Sequence, residues 1–202
     1  MHFLNMLRLL SNESSIAQQK IRNATISSDE WVSLTSVAAK LAELKLFIDD
    51  TAGLSISDIR SKARRIKAEH HIDLLVIDYL QLLHATSRHE NRHQEVAEIS
   101  RLLKGLAKEL GIPILALSQL SRAVESRIDK RPIMSDLRES GALEQDADVI
   151  LFLYRDILYN PETENPALAE LIIGKQRNGP TGTIFLNFDR ELTKFSDGDS
   201  TY

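Results

Sequence analysis

Apolar residues follow two rhythms along this chain, and the alternation between them predicts its elements. Leu74-Leu75-Val76-Ile77 is apolar on consecutive positions, as is Ile114 to Leu117. Such runs suit strands buried on both faces, as in a parallel sheet covered by helices. Leu46-Phe47-Ile48 and Val149 to Tyr154 read as further strands. Between them the apolar positions fall at helical spacing. Ser27-Ser28-Asp29-Glu30 reads as a capping box, followed by Trp31, Leu34, Val37, Leu41 and Leu44 on one face. Ser55-Ile56-Ser57-Asp58 opens a second capped helix through Ile59, Ala63 and Ile66. A third carries Val96, Ile99, Leu102, Leu103, Leu106 and Leu110, and Gly111 stops it. Leu171-Ile172-Ile173 and Thr183 to Phe188 flank Asn178-Gly179-Pro180-Thr181-Gly182, the signature of a hairpin. The pattern predicts an α/β fold, a mainly parallel sheet flanked by helices with an antiparallel hairpin at its end.

Composition changes this picture little. The 202 residues are 43% hydrophobic and 27% charged, ordinary for one globular domain. With no cysteine the chain has neither disulfides nor thiolate metal sites, which is compatible with a reducing compartment. The start, MHFLNMLRLLSNESS, has no basic leader and no small-residue cleavage site, so it is not read as a signal peptide. Nothing approaches the ~20 consecutive apolar residues of a membrane span. These features predict a cytoplasmic protein without a membrane partner. A net charge of −4 provides no bulk basic footprint for nucleic acid, so any such contact is local.

Candidate chemistry gathers at strand ends. Asp78 closes the run Leu74–Ile77 and so stands at the carboxyl edge, where open α/β sheets bind ligands. Two roles fit it equally: holding Mg²⁺ through water beside a nucleotide phosphate, or capping the next turn. His89-Glu90-Asn91-Arg92-His93 spells the zinc-protease pattern H-E-x-x-H. Its neighbours are polar, and Glu109, the downstream candidate for a third ligand, would lie about 24 Å away along one continuous helix. The pattern is read as coincidence. A phosphate-cradling loop needs G-x-x-x-x-G-K-[ST]. Of the eight glycines only Gly174 is followed by lysine, and Gln176 takes the Ser/Thr position, so this sequence holds no such loop.

Four stretches together carry a family resemblance: LLVIDYLQLL, ILALSQLSR, RPIMSDLRESGALEQDAD and IIGKQRNGPTG. They resemble, in order, the RecA-like motor domain of DnaB-type replicative DNA helicases, over roughly Leu4 to Phe195. The resemblance implies residues 1–195 as a partial motor domain, with 196–202 a disordered tail. It implies a RecA-like sheet that is incomplete because the P-loop strand, upstream in the family, is absent. The activity implied is ATP-dependent unwinding of duplex DNA by translocation on single-stranded DNA, by a hexameric ring hydrolysing ATP between subunits. The cofactors implied are ATP and Mg²⁺. The partners implied are single-stranded DNA and other helicase subunits, either identical ones or a chain supplying the P-loop. Without that loop, the isolated chain is expected to be inactive. A contrasting role is a non-catalytic remnant acting as an interaction module within or against a full-length ring.

Residue by residue, Asp78 resembles the Walker B aspartate that positions Mg²⁺, and Gln119 the sensor glutamine that feels the γ-phosphate. An amide suits that task because it both donates and accepts. Arg138, Glu139 and Gly141 fall in the loop whose counterparts touch the DNA backbone, a salt-dependent grip when repeated around a ring. An ion pair of Arg138 with Asp136 or Glu139 is the structural alternative. Lys175 and Arg177 alternate along a strand and so share a face. The family sets this pair against the γ-phosphate held by the adjacent subunit, where an arginine supplied in trans is worth ~10³ or more in rate. Solvated cations on an edge hairpin are the alternative there.

Overall fold

The computed structural model describes residues 2–85, 87, 89, 91–137 and 141–198. Arg138 and Glu139 lie outside the described residues, as do Glu90 of the H-E-x-x-H string and residues 199–202. The chain packs as two compact units, one of residues 51–154 with 172–183, the other of 1–50, 155–171 and 184–202.

The first unit holds the candidate residues. Helix α4 (Ile56–His70) begins where the Ser55 side chain accepts from Asp58 N and the Asp58 carboxylate accepts from Ser55 N. This reciprocal box satisfies two of the amides that a helix start leaves open. Helix α5 (Arg92–Leu110) starts on Asn91, whose Oδ1 accepts from Gln94 N at 3.0 Å, and stops at Gly111 with φ of +62°. A side chain at that φ would be strained, which is why glycine ends the helix there. Strand β1 (Leu75–Ile77) runs parallel to β2 (Ile114–Ala116), pairing Leu75 with Ile114 and Ile77 with Ala116. Ile56 and Ile59 of α4 and Ile99, Leu103 and Leu106 of α5 pack with Ile77, Leu80 and Leu83 into one buried cluster. Helix α6 (Gly141–Asp146) leads into β3 (Val149–Tyr154).

The second unit carries helices α1 (His2–Ser14), α2 (Gln18–Asn23) and α3 (Ser28–Ala42). Ser27 caps α3 in the predicted box. The buried Ser11 hydroxyl donates to Ile16 O at 2.6 Å and so fixes the turn after α1. Strands β4 (Leu168–Gln176) and β5 (Gly182–Asp189) run through both units, and β5 pairs antiparallel with β6 (Lys194–Asp197). The strand order is β3-β4-β5-β6, and the turn at 177–181 joins β4 to β5 as the Asn-Gly-Pro signal predicted.

The architecture is α/β as expected, with the parallel strands in the pair β1–β2 and the antiparallel hairpin in the four-stranded sheet. Several finer expectations need correction, beginning with the burial of β1 and β2. These strands are buried on one face only: Ile77 is 7% exposed, whereas Val76 and Leu115 are each 51% exposed. Along β3 the same alternation leaves Val149, Leu151 and Leu153 exposed and Ile150, Phe152 and Tyr154 buried. Consecutive apolar residues announce two apolar faces, but only neighbouring elements decide whether both are covered. Residues 46–48 form no strand, because apolar β-formers become one only when a ladder partner lies beside them. On α3, Leu34 is buried while Trp31 is 58% exposed, so the apolar stripe is wider than its cover; the helix ends at Ala42, and Leu44, expected on its face, lies beyond it and is 59% exposed. At the other end of the chain, β6 takes Ser196 and Asp197 out of the expected tail.

Candidate functional site

Parallel pairing of β1 and β2 brings their carboxyl ends to one edge, and the register continues past both strands. Leu117 N donates to Ile77 O and Leu80 N to Leu117 O, each at 2.9 Å. Asp78 therefore stands beside Leu117, two residues before Gln119, and both Asp78 and Gln119 are exposed. The Asp78–Tyr79 peptide is cis, and a single 3₁₀ turn, Leu80–Leu82, follows it.

Gln81, in that turn, joins the two strand ends. Its amide nitrogen donates to Ser118 Oγ at 3.0 Å and to Gln119 O at 3.4 Å, while its Oε1 accepts from Gln119 N at 3.2 Å. Arg92, at the start of α5, holds the turn from behind: its guanidinium donates to Gln81 O at 2.9 Å and Leu83 O at 3.3 Å. It also pairs with Glu95 at 2.5 Å. For Glu95, partial burial raises the carboxyl, but the hydrogen bonds from Arg92 and Ala85 N outweigh it and bring the group below its ordinary value. Gln81 is not among the candidate residues named from the sequence. The only signal it gives is a lone amide inside the apolar run Leu80-Gln81-Leu82-Leu83.

Beyond Gln119 the chain is cross-braced. Leu120 bridges Leu137 antiparallel, and Ser121 N donates to Asp136 O at 2.8 Å. The Asp136 carboxylate, almost fully buried, accepts both terminal guanidinium nitrogens of Arg127 at 3.0 and 2.7 Å and Ile133 N at 2.8 Å. Asp136, the alternative partner expected for Arg138, is bound by Arg127. Arg131 lies 4.9 Å over the Tyr154 ring, tying this loop to the end of β3. Gly141, exposed, starts α6 directly after the residues outside the description.

Lys175 and Arg177 form a second group. Gly174 admits this part of β4, because a Cβ there would meet Phe152 Cε2 at 2.5 Å. Lys175 Nζ donates to Glu144 O at 2.5 Å and Ala147 O at 2.7 Å, at the carboxyl end of α6, where a cation is favoured by the unsatisfied carbonyls. Arg177 donates to Gln145 O at 3.0 Å and lies 3.5 Å from Asp148, which also pairs with Lys104. The Lys104 ammonium holds the Asp148 carboxyl below the usual carboxylate range against the opposing effect of partial burial, with Arg177 and Lys175 adding to the shift. The two cations reach the same element, although β4 ends at Gln176 and Arg177 stands in the turn after it, not on the strand as expected. Among the described residues, neither has a hydrogen bond or ion pair with Asp78 or Gln119.

No group of three or more His, Cys, Asp or Glu among the described residues could hold a metal ion. In the H-E-x-x-H string, His89 pairs with Glu98 and stands before α5, while His93 lies within it, so the two are not successive turns of one helix. The edge at Asp78 suits Mg²⁺ held mainly by water and phosphate, since it offers one carboxylate and one neutral amide. No described helix is long and apolar enough to cross a membrane.

Comparison with known proteins adds an independent finding. The profile of the DnaB-like helicase C terminal domain matches residues 3–197. The chain is 52% identical over 191 residues to the replicative DNA helicase DnaB of Geobacillus stearothermophilus, covering 94% of this chain and 42% of that protein. It is also 52% identical over 195 residues to a probable replicative DNA helicase of Trieres chinensis, covering 94% of this chain and 43% of that one. The chain thus spans less than half the length of these curated relatives. Among solved structures, one described as an ATPase domain superposes with a TM-score of 0.93 at 43% identity, over 98% of this chain and 72% of that one. A DnaB-like replicative helicase, solved in a study of its interactions with primase, gives 0.91 at 44% identity, over 96% of this chain and 48% of that one.

Proposed function

Since the chain belongs to the DnaB-like helicase C-terminal domain family, we propose that it is part of an ATP-dependent replicative helicase ring that translocates on single-stranded DNA. The observation that supports this reading is the edge where β1 and β2 end, at which Asp78 and Gln119 are both exposed, within a chain matched almost throughout by that family. Asp78 would hold Mg²⁺ through water, and Gln119 would meet the terminal phosphate of ATP. Bound there, Mg·ATP supplies the phosphoryl group whose transfer to water drives movement.

Lys175 and Arg177 would serve the nucleotide of a neighbouring subunit. What supports this is their shared direction; what opposes it is their present engagement with carbonyls of α6 and with Asp148. Arg138, Glu139 and Gly141 would touch the DNA backbone, and the braced loop from Ser121 to Leu137 would carry them. A cytoplasmic location accords with this role.

The test is ATP hydrolysis by the 202-residue chain alone and in mixed rings with a P-loop-bearing helicase. Alone, the chain should show no turnover, because positioning and charge stabilisation are nearly all the catalysis that phosphoryl transfer receives. In mixed rings, Arg177→Ala should lower the rate below that of the unmutated chain at equal ring composition; where a separate P-loop segment completes this chain's own site, Asp78→Ala should abolish turnover there. Robust turnover by the chain alone, abolished by Asp78→Ala, would overturn the need for an added P-loop. Equal rates with and without Arg177 would remove the trans role.

A further inference from the structure

Ser118 and Gln119 follow β2 in a segment fixed at both ends by main-chain bonds. Upstream, Leu117 N is bonded to Ile77 O at 2.9 Å; downstream, Ser121 N is bonded to Asp136 O at 2.8 Å. Between these anchors, among the described residues, Ser118 and Gln119 are hydrogen-bonded to Gln81. One primary amide there does what a ladder would do, donating to Ser118 Oγ and Gln119 O and accepting from Gln119 N. It engages the Gln119 main chain and not the Gln119 side chain.

The turn that presents Gln81 starts from Asp78 and is pinned by Arg92 at Gln81 O and Leu83 O. Leu80 beside it is 2% exposed and packs in the core cluster, so the turn cannot slide without opening the core. Gln81 thus refers the position of the second strand end to a turn that begins at Asp78. We propose that Gln81 is a positioning residue: its side chain fixes the Gln119 backbone relative to Asp78, and so sets where the Gln119 amide meets the phosphate. This rests on the nucleotide role argued above for Asp78 and Gln119.

A hydrocarbon of similar size removes all three bonds, whereas glutamate keeps an acceptor for Gln119 N and an acceptor for the Ser118 hydroxyl. In the 202-residue chain, Gln81→Leu should speed amide exchange at Gln119 about tenfold while leaving Leu117 and Leu80 protected, since that loss is local. Gln81→Glu should restore the protection. In rings where a separate P-loop segment completes this chain's own site, Gln81→Leu should lower kcat roughly ten- to a hundredfold with KM for ATP unchanged, the size expected of a small misplacement. Gln81→Glu should recover most of it.

Unchanged exchange at Gln119 in Gln81→Leu overturns the proposal. So does loss of Leu117 protection that Gln81→Glu fails to restore, because that marks a residue needed only for folding. A silent Gln81→Leu beside a damaging Asp78→Ala refutes the positioning role alone. A silent Asp78→Ala refutes the nucleotide reading beneath it.

Discussion

Replacing Arg127 by Met should destabilise the unit of residues 51–154 and 172–183 by about 2–3 kcal/mol. The Asp136 side chain is 4% exposed and its Arg127 partner 32% exposed. Removing one partner of a fully buried pair strands an uncompensated charge and costs about 3–5 kcal/mol. Two features reduce that figure here. Solvent screens the exposed part of Arg127, and Asp136 keeps the hydrogen bond from Ile133 N at 2.8 Å. Methionine retains most of the aliphatic stem, so the loss is chiefly of the two charge-assisted bonds. The effect corresponds to a roughly 30- to 150-fold change in the unfolding equilibrium, at tenfold per ~1.4 kcal/mol. With a urea m-value near ~2 kcal/mol/M, the midpoint should fall by about 1–1.5 M at constant slope. Lys20→Met, which breaks the more exposed pair with Glu30, is the control and should barely move it. A shift below ~0.25 M would show that the Arg127–Asp136 pair does not hold this loop, and the bracing argument would fail with it.

Two other outcomes follow from the same geometry. Asp148 has its carboxyl held below the ordinary value, by Lys104 first, so its contribution is full above the unfolded carboxylate range and is lost as pH falls through the lowered folded value; an acid-unfolding profile that Asp148→Asn leaves unchanged in shape would refute this. The exposed apolar residues Val76, Leu115 and Leu151 should drive self-association of the chain, and threonine at all three should reduce it without lowering the melting temperature appreciably; sedimentation showing the unmutated chain as a monodisperse monomer would refute this.

The sequence by itself determined what depends on residues a few positions apart. The boxes at Ser27 and Ser55 and the stop at Gly111 are interactions within one turn, and all three are where the pattern put them. The hairpin turn at 177–181 is local in the same sense, as is the ending of β1 just before Asp78. The motifs that carry the resemblance are short strings, so Asp78, Gln119, Lys175 and Arg177 could be named before any fold was known. What the tertiary structure decided involves partners far apart in the chain. Whether Leu46-Phe47-Ile48 is a strand, and whether Val76 and Leu115 are buried, depends on which backbone or helix lies beside them, and no local pattern records that. Gln81 and Ser118 are 37 residues apart, so their bond could not be seen as a motif. Lys175 meets Glu144 O across 31 residues, where an alternating pair of cations signalled a shared face but not its occupant. Periodicity specifies which faces are apolar or charged; the packing of distant segments specifies what each face touches, because hydrogen bonds and burial are properties of pairs.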